Sequence, residues 1–185
     1  MVYFTSDLHF GHANIIKYCN RPYDSVEEMD KALINNWNAT VKQEDAVYII
    51  GDFTMREAGV AKGYLSALNG TKYLIVGNHD MFLKSFGATT DWFGWVDNYA
   101  VINHNGAIMV LFHYPIVEWH GFSKGSIHLY GHLHNSTSVT PWDPTNTRAF
   151  NVGVDVNDYK PISATEIIRR ANKIPISKRH RDQLD

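Results

Sequence analysis

At 185 residues, with 44% hydrophobic and 13% aromatic content, the chain has enough material for one domain with a substantial core. A formal charge of −2 excludes a general attraction to nucleic acid or to an anionic membrane, so any affinity for phosphate has to come from a local positive centre such as bound cations. One cysteine, Cys19, excludes an internal disulfide framework and points to a reduced, cytoplasmic setting with the thiol packed as an apolar residue.

The first strand is expected over residues 2–6, leaving no room before it for a signal-peptide apolar region, and no run approaches the roughly 20 apolar residues of a membrane span. A short helix is expected over residues 12–19. A second helix follows, because Ser25 and Glu28 have capping-box spacing while Val26, Met29, Leu33 and Trp37 recur on one helical face. Residues 46–50 are continuously apolar, as in a strand buried on both faces, and Gly51 follows where a tight turn is needed. A helix over residues 55–68 stops at Asn69-Gly70, and a third strand over 73–76 closes at Gly77. Strand, helix, strand, helix, strand is an α/β rhythm.

The second half changes character. Residues 99–102 and 107–112 flank Asn105-Gly106, a hairpin signal that predicts a second, mainly antiparallel sheet. Strands are expected over 127–130 and 149–156, and Ser163 with Glu166 caps a last helix through Ala171. The reading is one domain over residues 1–173. Residues 174–185, with the Lys178-Arg179-His180-Arg181 cluster, form a solvated tail.

Five of the apolar runs deliver metal-binding residue types at or just past their downstream ends: Asp7 and His9, Asp52, Asn78 and His79, His113, and His132 and His134. If the runs are neighbouring strands of mostly parallel sheet, those ends share one edge, where open α/β folds place ligands. In an extended strand residues i and i+2 share a side, so Asp7 and His9 can grip one ion together. Any one of these histidines alone reads as a core residue with satisfied hydrogen bonds; their ordered recurrence does not.

The series Asp7-x-His9, Gly51-Asp52, Gly77-Asn78-His79-Asp80, His113 and Gly131-His132-Leu133-His134 resembles the signature of the calcineurin-like metallophosphoesterase superfamily. The resemblance implies a four-layer α/β/β/α sandwich of two mixed β-sheets flanked by helices. It implies two divalent metal ions, one held by Asp7, His9 and His134, the other by Asn78, His113 and His132, with Asp52 bridging. Oxygen and nitrogen donors without cysteine favour Mn, Fe, Zn or Ni over Ca. A carboxylate can span two cations about 3.5 to 4 Å apart, and one bound metal already lowers the pKa of water from about 15.7 to about 7, which makes a bridging hydroxide the nucleophile. His79 resembles the family's catalytic histidine, which implies a general acid for the leaving alkoxide. Asp80 orients or buttresses. Asn151 with Gly153 resembles a degenerate form of the family's later N-P-G-S element.

Substrate contacts are expected from His12, which follows Gly11, and from Arg21 and Arg56, whose guanidinium forks suit a phosphate oxygen. His120, beside Trp119, is expected in a loop near the site. Trp92, Trp95 and Trp119 read as core or rim packing. The segment from Gly51 to Glu57 departs from the G-D-x-x-D-R-G of the protein phosphatase branch, which leaves compact phosphodiesterases as closer relatives. The expected partner is a small-molecule or nucleotide phosphate ester, phosphodiesters favoured; the absence of a basic stripe argues against tight duplex nucleic-acid binding. The alternative is a scaffold resembling the retromer subunit of this fold, with a decayed site and a surface that recruits proteins. Such a scaffold tolerates loss of the reacting histidine, whereas His79 and all seven expected ligands are present here.

Overall fold

A computed structural model describes residues 1–85, 89–136, 140, 142–143 and 145–176. In chain order its elements are β1 (Val2–Thr5), α1 (Ala13–Tyr18), α2 (Val26–Thr40), β2 (Ala46–Ile50), α3 (Ala58–Ala67), β3 (Thr71–Ile75), β4 (Val96–Asp97), β5 (Tyr99–His104), β6 (Ala107–Phe112), β7 (Ile127–Tyr130), β8 (Ala149–Asn151), β9 (Ile162–Ser163) and α4 (Ala164–Ala171). They form an α/β architecture with two mixed sheets, as expected: one of five strands in the order β4-β3-β2-β1-β9 and one of four in the order β5-β6-β7-β8.

Strand alternation sorts the core into layers. Val47, Ile49 and Leu74 of the first sheet face α1, α2 and α3, where Ile15, Met29, Leu33, Trp37 and Leu65 cover them. Phe4, Ile50 and Ile75 point the other way and meet Met109, Leu111, Ile127 and Leu129 of the second sheet, with Ile167 and Ala171 of α4 closing this inter-sheet core. The outer face of the second sheet carries Val110, Tyr130 and Ala149 under Trp119, with Phe122, Leu133 and Trp142 packed alongside. Trp119 is therefore core, as expected.

Two caps follow the sequence closely. Ser25 accepts the Glu28 N–H at 3.2 Å and Ser163 accepts the Glu166 N–H at 3.2 Å. The first box is skewed by one residue, since the Glu28 carboxylate takes the N–H of Asp24 at 2.9 Å. From α2, Asp30 is buried and accepts the Gly11 N–H at 3.0 Å and the Tyr64 hydroxyl at 2.6 Å, so one carboxylate ties α2, α3 and the loop after β1 together.

Three expectations need correction. The second sheet is not mainly antiparallel: β5 and β6 form the antiparallel hairpin across Asn105-Gly106, but β6–β7 and β7–β8 are parallel. Residues 113–126 supply the long crossover that a parallel pair requires. α3 begins at Ala58, not at 55, because Thr54 is engaged in the loop, its hydroxyl donating to Phe10 O at 2.7 Å and accepting the Arg56 N–H at 3.0 Å. The run 149–156 is not one strand either. β8 ends at Asn151, after which Val152 N–H donates to Tyr130 O at 2.9 Å, Ser6 N–H to Val152 O at 3.2 Å and Val154 N–H to Ser6 O at 3.1 Å. This clasp joins the end of β7 to the end of β1, and so one sheet to the other. A 3-10 turn at Val154–Val156 follows it.

Among the described residues no helix is long and apolar enough to cross a membrane. The basic cluster at 178–181 lies outside the described residues.

Candidate metal centre

The five donor-bearing runs are β1, β2, β3, β6 and β7, and their downstream ends do meet at one edge of the molecule. Asp7 N–H donates to Gly51 O at 3.0 Å, His9 N–H to Asp52 O at 3.0 Å and Gly131 N–H to His113 O at 3.0 Å. The i, i+2 argument for Asp7 and His9 does not hold as stated, because β1 ends at Thr5 and both residues lie beyond it in left-handed backbone, with φ of 56° and 52°. Asp52, His132 and His134 are left-handed too, at 56°, 68° and 50°. Asp and His tolerate this region better than most residues, yet each still costs roughly 1–2 kcal/mol, and such strain gathers at functional sites. Glycines make the turns possible. Gly51 has φ of 84°, and a Cβ there would run into the His113 ring; a Cβ on Gly77 would run into the Asp52 carboxylate.

Among the described residues the expected ligands fall into two donor sets. Asp7, His9 and His134 each offer a ligand atom within 4.8 Å of the others, and Asp52, His113 and His132 do the same. Asp52 Oδ2 lies between them, 3.5 Å from His9 Nε2 and 3.4 Å from His113 Nε2. Asn78 joins the second set, its Oδ1 being 3.1 Å from His113 Nε2 and 3.1 Å from His132 Nδ1. His113 Nδ1 faces Ile50 O at 2.8 Å and must donate to it, leaving Nε2 to point at oxygen acceptors. Lone pairs aimed at one another call for a cation between them. His9 Nε2 is likewise buried without a hydrogen-bond partner. Carboxylate, amide oxygen and imidazole donors fit divalent metals of the Mn, Fe, Zn or Ni type.

Burial pushes the Asp52 carboxyl up, but the His113 and His9 rings beside it at 3.4 and 3.5 Å and the His79 N–H at 2.8 Å outweigh it and hold it well below the usual carboxylate range. For His113, burial lowers the pKa, and the Asp52 hydrogen bond with the Asp7 and Asp52 charges more than restores it. His9 and His132 are both lowered, chiefly by burial.

His79 stands at this edge, its ring centroid 5.3 Å from that of His9. With His12 it lines a cavity of about 330 Å³ walled by Ile15, Tyr18 and Leu133. His12 Nδ1 is 3.4 Å from His9 Nδ1. Asp80 is buried and faces away from that cavity's donors, accepting the N–H groups of Asp52 at 2.9 Å, Phe53 at 2.7 Å and Gly77 at 2.8 Å. It is a buttress that fixes the two ligand turns, and burial pushes its pKa up to about 6.

The other expected substrate contacts fare differently. Arg21 does not reach a substrate position: it is buried, forked onto Asp155 and bonded to the carbonyls of Asp7 and Leu8 at 2.7 and 2.9 Å. His120 lies at the far end of the second sheet, lining a separate cavity with Ile108 and Ile127 at the upstream ends of β6 and β7. Arg56 is exposed and its stem rests over Gly11, outside both donor sets.

Sequence reading missed three residues. Asp155 bonds His134 Nδ1 at 2.8 Å, the Tyr114 hydroxyl donates to Asn78 Oδ1 at 3.3 Å, and the Ser6 hydroxyl donates to Asp7 Oδ2 at 2.6 Å. Tyr114 and Ser6 adjoin ligands in the chain, a signal that adjacency could have raised; Asp155 had none. Asn151, noted for its family resemblance, braces the backbone, donating to His134 O at 2.9 Å and accepting the Gly153 N–H at 2.8 Å.

Two mixed sheets with paired nitrogen and oxygen donor sets at their shared downstream edge define a two-sheet α/β protein with a candidate dinuclear site. The chain belongs to the calcineurin-like phosphoesterase family, whose sequence model matches residues 1–162. It is 39% identical over 175 residues to an uncharacterized protein of Methanocaldococcus jannaschii, covering 93% of this chain and 92% of that one. It is 31% identical over 183 residues to the gene 66 protein of Mycobacterium phage L5, covering 83% and 86%. The crystal structure of a protein of unknown function from Aquifex aeolicus superposes with a TM-score of 0.73 at 30% identity, covering 91% of this chain and 98% of that chain.

Proposed function

We propose that the protein hydrolyses phosphate esters, diesters in preference to monoesters, with two divalent cations (Mn, Fe, Zn or Ni) at this edge. The observation that carries the reading is the position of Asp52 Oδ2, 3.5 Å from His9 and 3.4 Å from His113, which suits one carboxylate shared by two ions. Cations bound there supply charge neutralisation for the phosphoryl oxygens and acidify the attacking water. Asp7, His9 and His134 would hold one, Asn78, His113 and His132 the other, and Asp80 fixes the turns that carry Asp52 and Asn78. His79 gives its proton to the departing alkoxide, and His12 beside it orients the ester. The cavity of about 330 Å³ next to His79 has room for a second substituent on phosphorus, which supports the diester preference. A small-molecule or nucleotide ester fits this space. The single, buried Cys19 supports a reducing, cytoplasmic setting.

The test loads metal-free protein with Mn, Zn, Ni or Mg and screens mono-, di- and pyrophosphate esters. Asp52→Asn is expected to lose both metal and activity. His79→Ala is expected to keep its metal and to lose rate mainly on substrates with poor leaving groups. Equal activity in wild type and Asp52→Asn would reject the shared-carboxylate assignment.

A further inference from the structure

We propose that Asp155, locked in place by Arg21, is a positioning residue that turns His134 so that its Nε2 is the nitrogen offered to the cation shared with Asp7 and His9. The proposal rests on the metal-binding reading above. Its basis is a closed set of buried contacts. Asp155 Oδ2 lies 2.8 Å from His134 Nδ1, and Arg21 grips the same carboxylate with Nε at 2.8 Å and Nη2 at 2.9 Å. Both partners are shielded, with Arg21 and Asp155 side chains 0% and 1% exposed. The remaining guanidinium donors go to Asp7 O at 2.7 Å, Leu8 O at 2.9 Å and Met29 Sδ at 3.4 Å. The His132 N–H closes the loop onto both Asp7 oxygens at 3.0 Å.

The chemistry of the contact sets the tautomer. An ionised carboxylate held by a guanidinium only accepts hydrogen bonds, so His134 Nδ1 carries a proton and Nε2 is the nitrogen left to face a cation. Without Asp155 the carboxylate that selects between the two nitrogens is gone: His134 sits in a left-handed turn whose backbone carbonyl is held by Asn151, and the Cys19 thiol beside the ring is a far weaker acceptor. A pair serving stability alone would have no need to share its second oxygen with a histidine. Arg21 adds a further constraint: the cation that locks Asp155 also holds the Asp7 carbonyl, so ligands more than a hundred residues apart are set by one side chain.

The Cys19 thiol also lies within 4.8 Å of the donor atoms of His134 and Asp155. Direct ligation by those three groups is the competing arrangement, and cobalt separates the two. Wild-type protein titrated with Co²⁺ is expected to take two equivalents without a thiolate charge-transfer band, and the zinc-loaded, ¹⁵N-labelled protein is expected to show the His134 ring proton on Nδ1. In Asp155→Asn a neutral amide, a weaker acceptor than the carboxylate, faces His134, and the ring proton is no longer fixed on Nδ1. One of the two cobalt equivalents should then weaken by about 10- to 100-fold while the other is unchanged. A thiolate band, a ring proton on Nε2 in the wild type, or equal affinities in wild type and Asp155→Asn overturns the proposal. The ring measurement needs no variant, so it decides even if Asp155→Asn fails to fold. Failure of the wild type to hold any cation overturns the metal reading and this proposal with it; equal affinities in the two proteins overturn this proposal alone.

Discussion

Arg21 and Gly51 are two residues whose sequence context says little and whose surroundings say much. Arg21 looks like a free cation near a phosphate site, and burial turns it into an internal tie with five donors spent on the protein. Arg21→Met therefore strands the Asp155 carboxylate and is expected to cost about 3–5 kcal/mol, read by urea unfolding of the metal-free protein. Arg21→Lys should recover only part of this, since an ammonium cannot fork across both carboxylate oxygens. Gly51→Ala meets both a left-handed φ of 84° and the His113 ring. It is expected to weaken cobalt binding at the Asp52, His113 and His132 set, as measured by calorimetric titration. At this scale the donors were legible in the sequence, because histidine and aspartate after apolar runs are chemically conspicuous. Asp155 was not, because one carboxylate among nineteen acidic residues carries no mark until the fold sets it against His134.

Among the elements, α2 was the most legible, since its capping serine and its face of Met29, Leu33 and Trp37 are both periodic signals that the buried sheet face then uses. Ser25→Ala is expected to lower stability by about 1 kcal/mol through loss of the Glu28 N–H contact, measured by denaturant midpoint. Strand direction was less legible. The runs at β6 and β7 announce strands by composition, but antiparallel and parallel pairs share that composition, and only the aromatic crossover over 113–126 settles the matter. The run after Ala149 misled for a related reason: Val152 and Val154 look like strand interior, and their backbone groups do pair, but with Tyr130 and Ser6 on two different sheets.

For the molecule as a whole, His128 links core packing to acidity. It is buried beneath Trp119, between the carbonyls of Val110 and Tyr114 at 3.1 and 3.3 Å, and burial pushes its pKa down to about 4. The unfolded chain titrates this histidine near pH 6.5, so between about pH 6.5 and 4 the unfolded state binds a proton that the folded state refuses. The His128 share of stability is present above pH 6.5 and falls by up to roughly 3 kcal/mol as the pH drops to 4. Urea unfolding of metal-free protein at pH 7 and pH 4.5 should reveal this slope, and His128→Gln should flatten it.

The clasp at residues 152–154 also orders events during synthesis. When His134 has just been added to the growing chain every expected chelating group exists, yet Asp155 has not been made and Ser6 still lacks the segment that seats it. A nascent chain stopped short of residue 152 would carry all the expected ligands without the clasp that joins the end of β1 to the end of β7. Any cation site built from these ligands therefore waits for residues 152–155, and a proteolytic nick at that seam is expected to weaken cobalt binding before it unfolds either sheet.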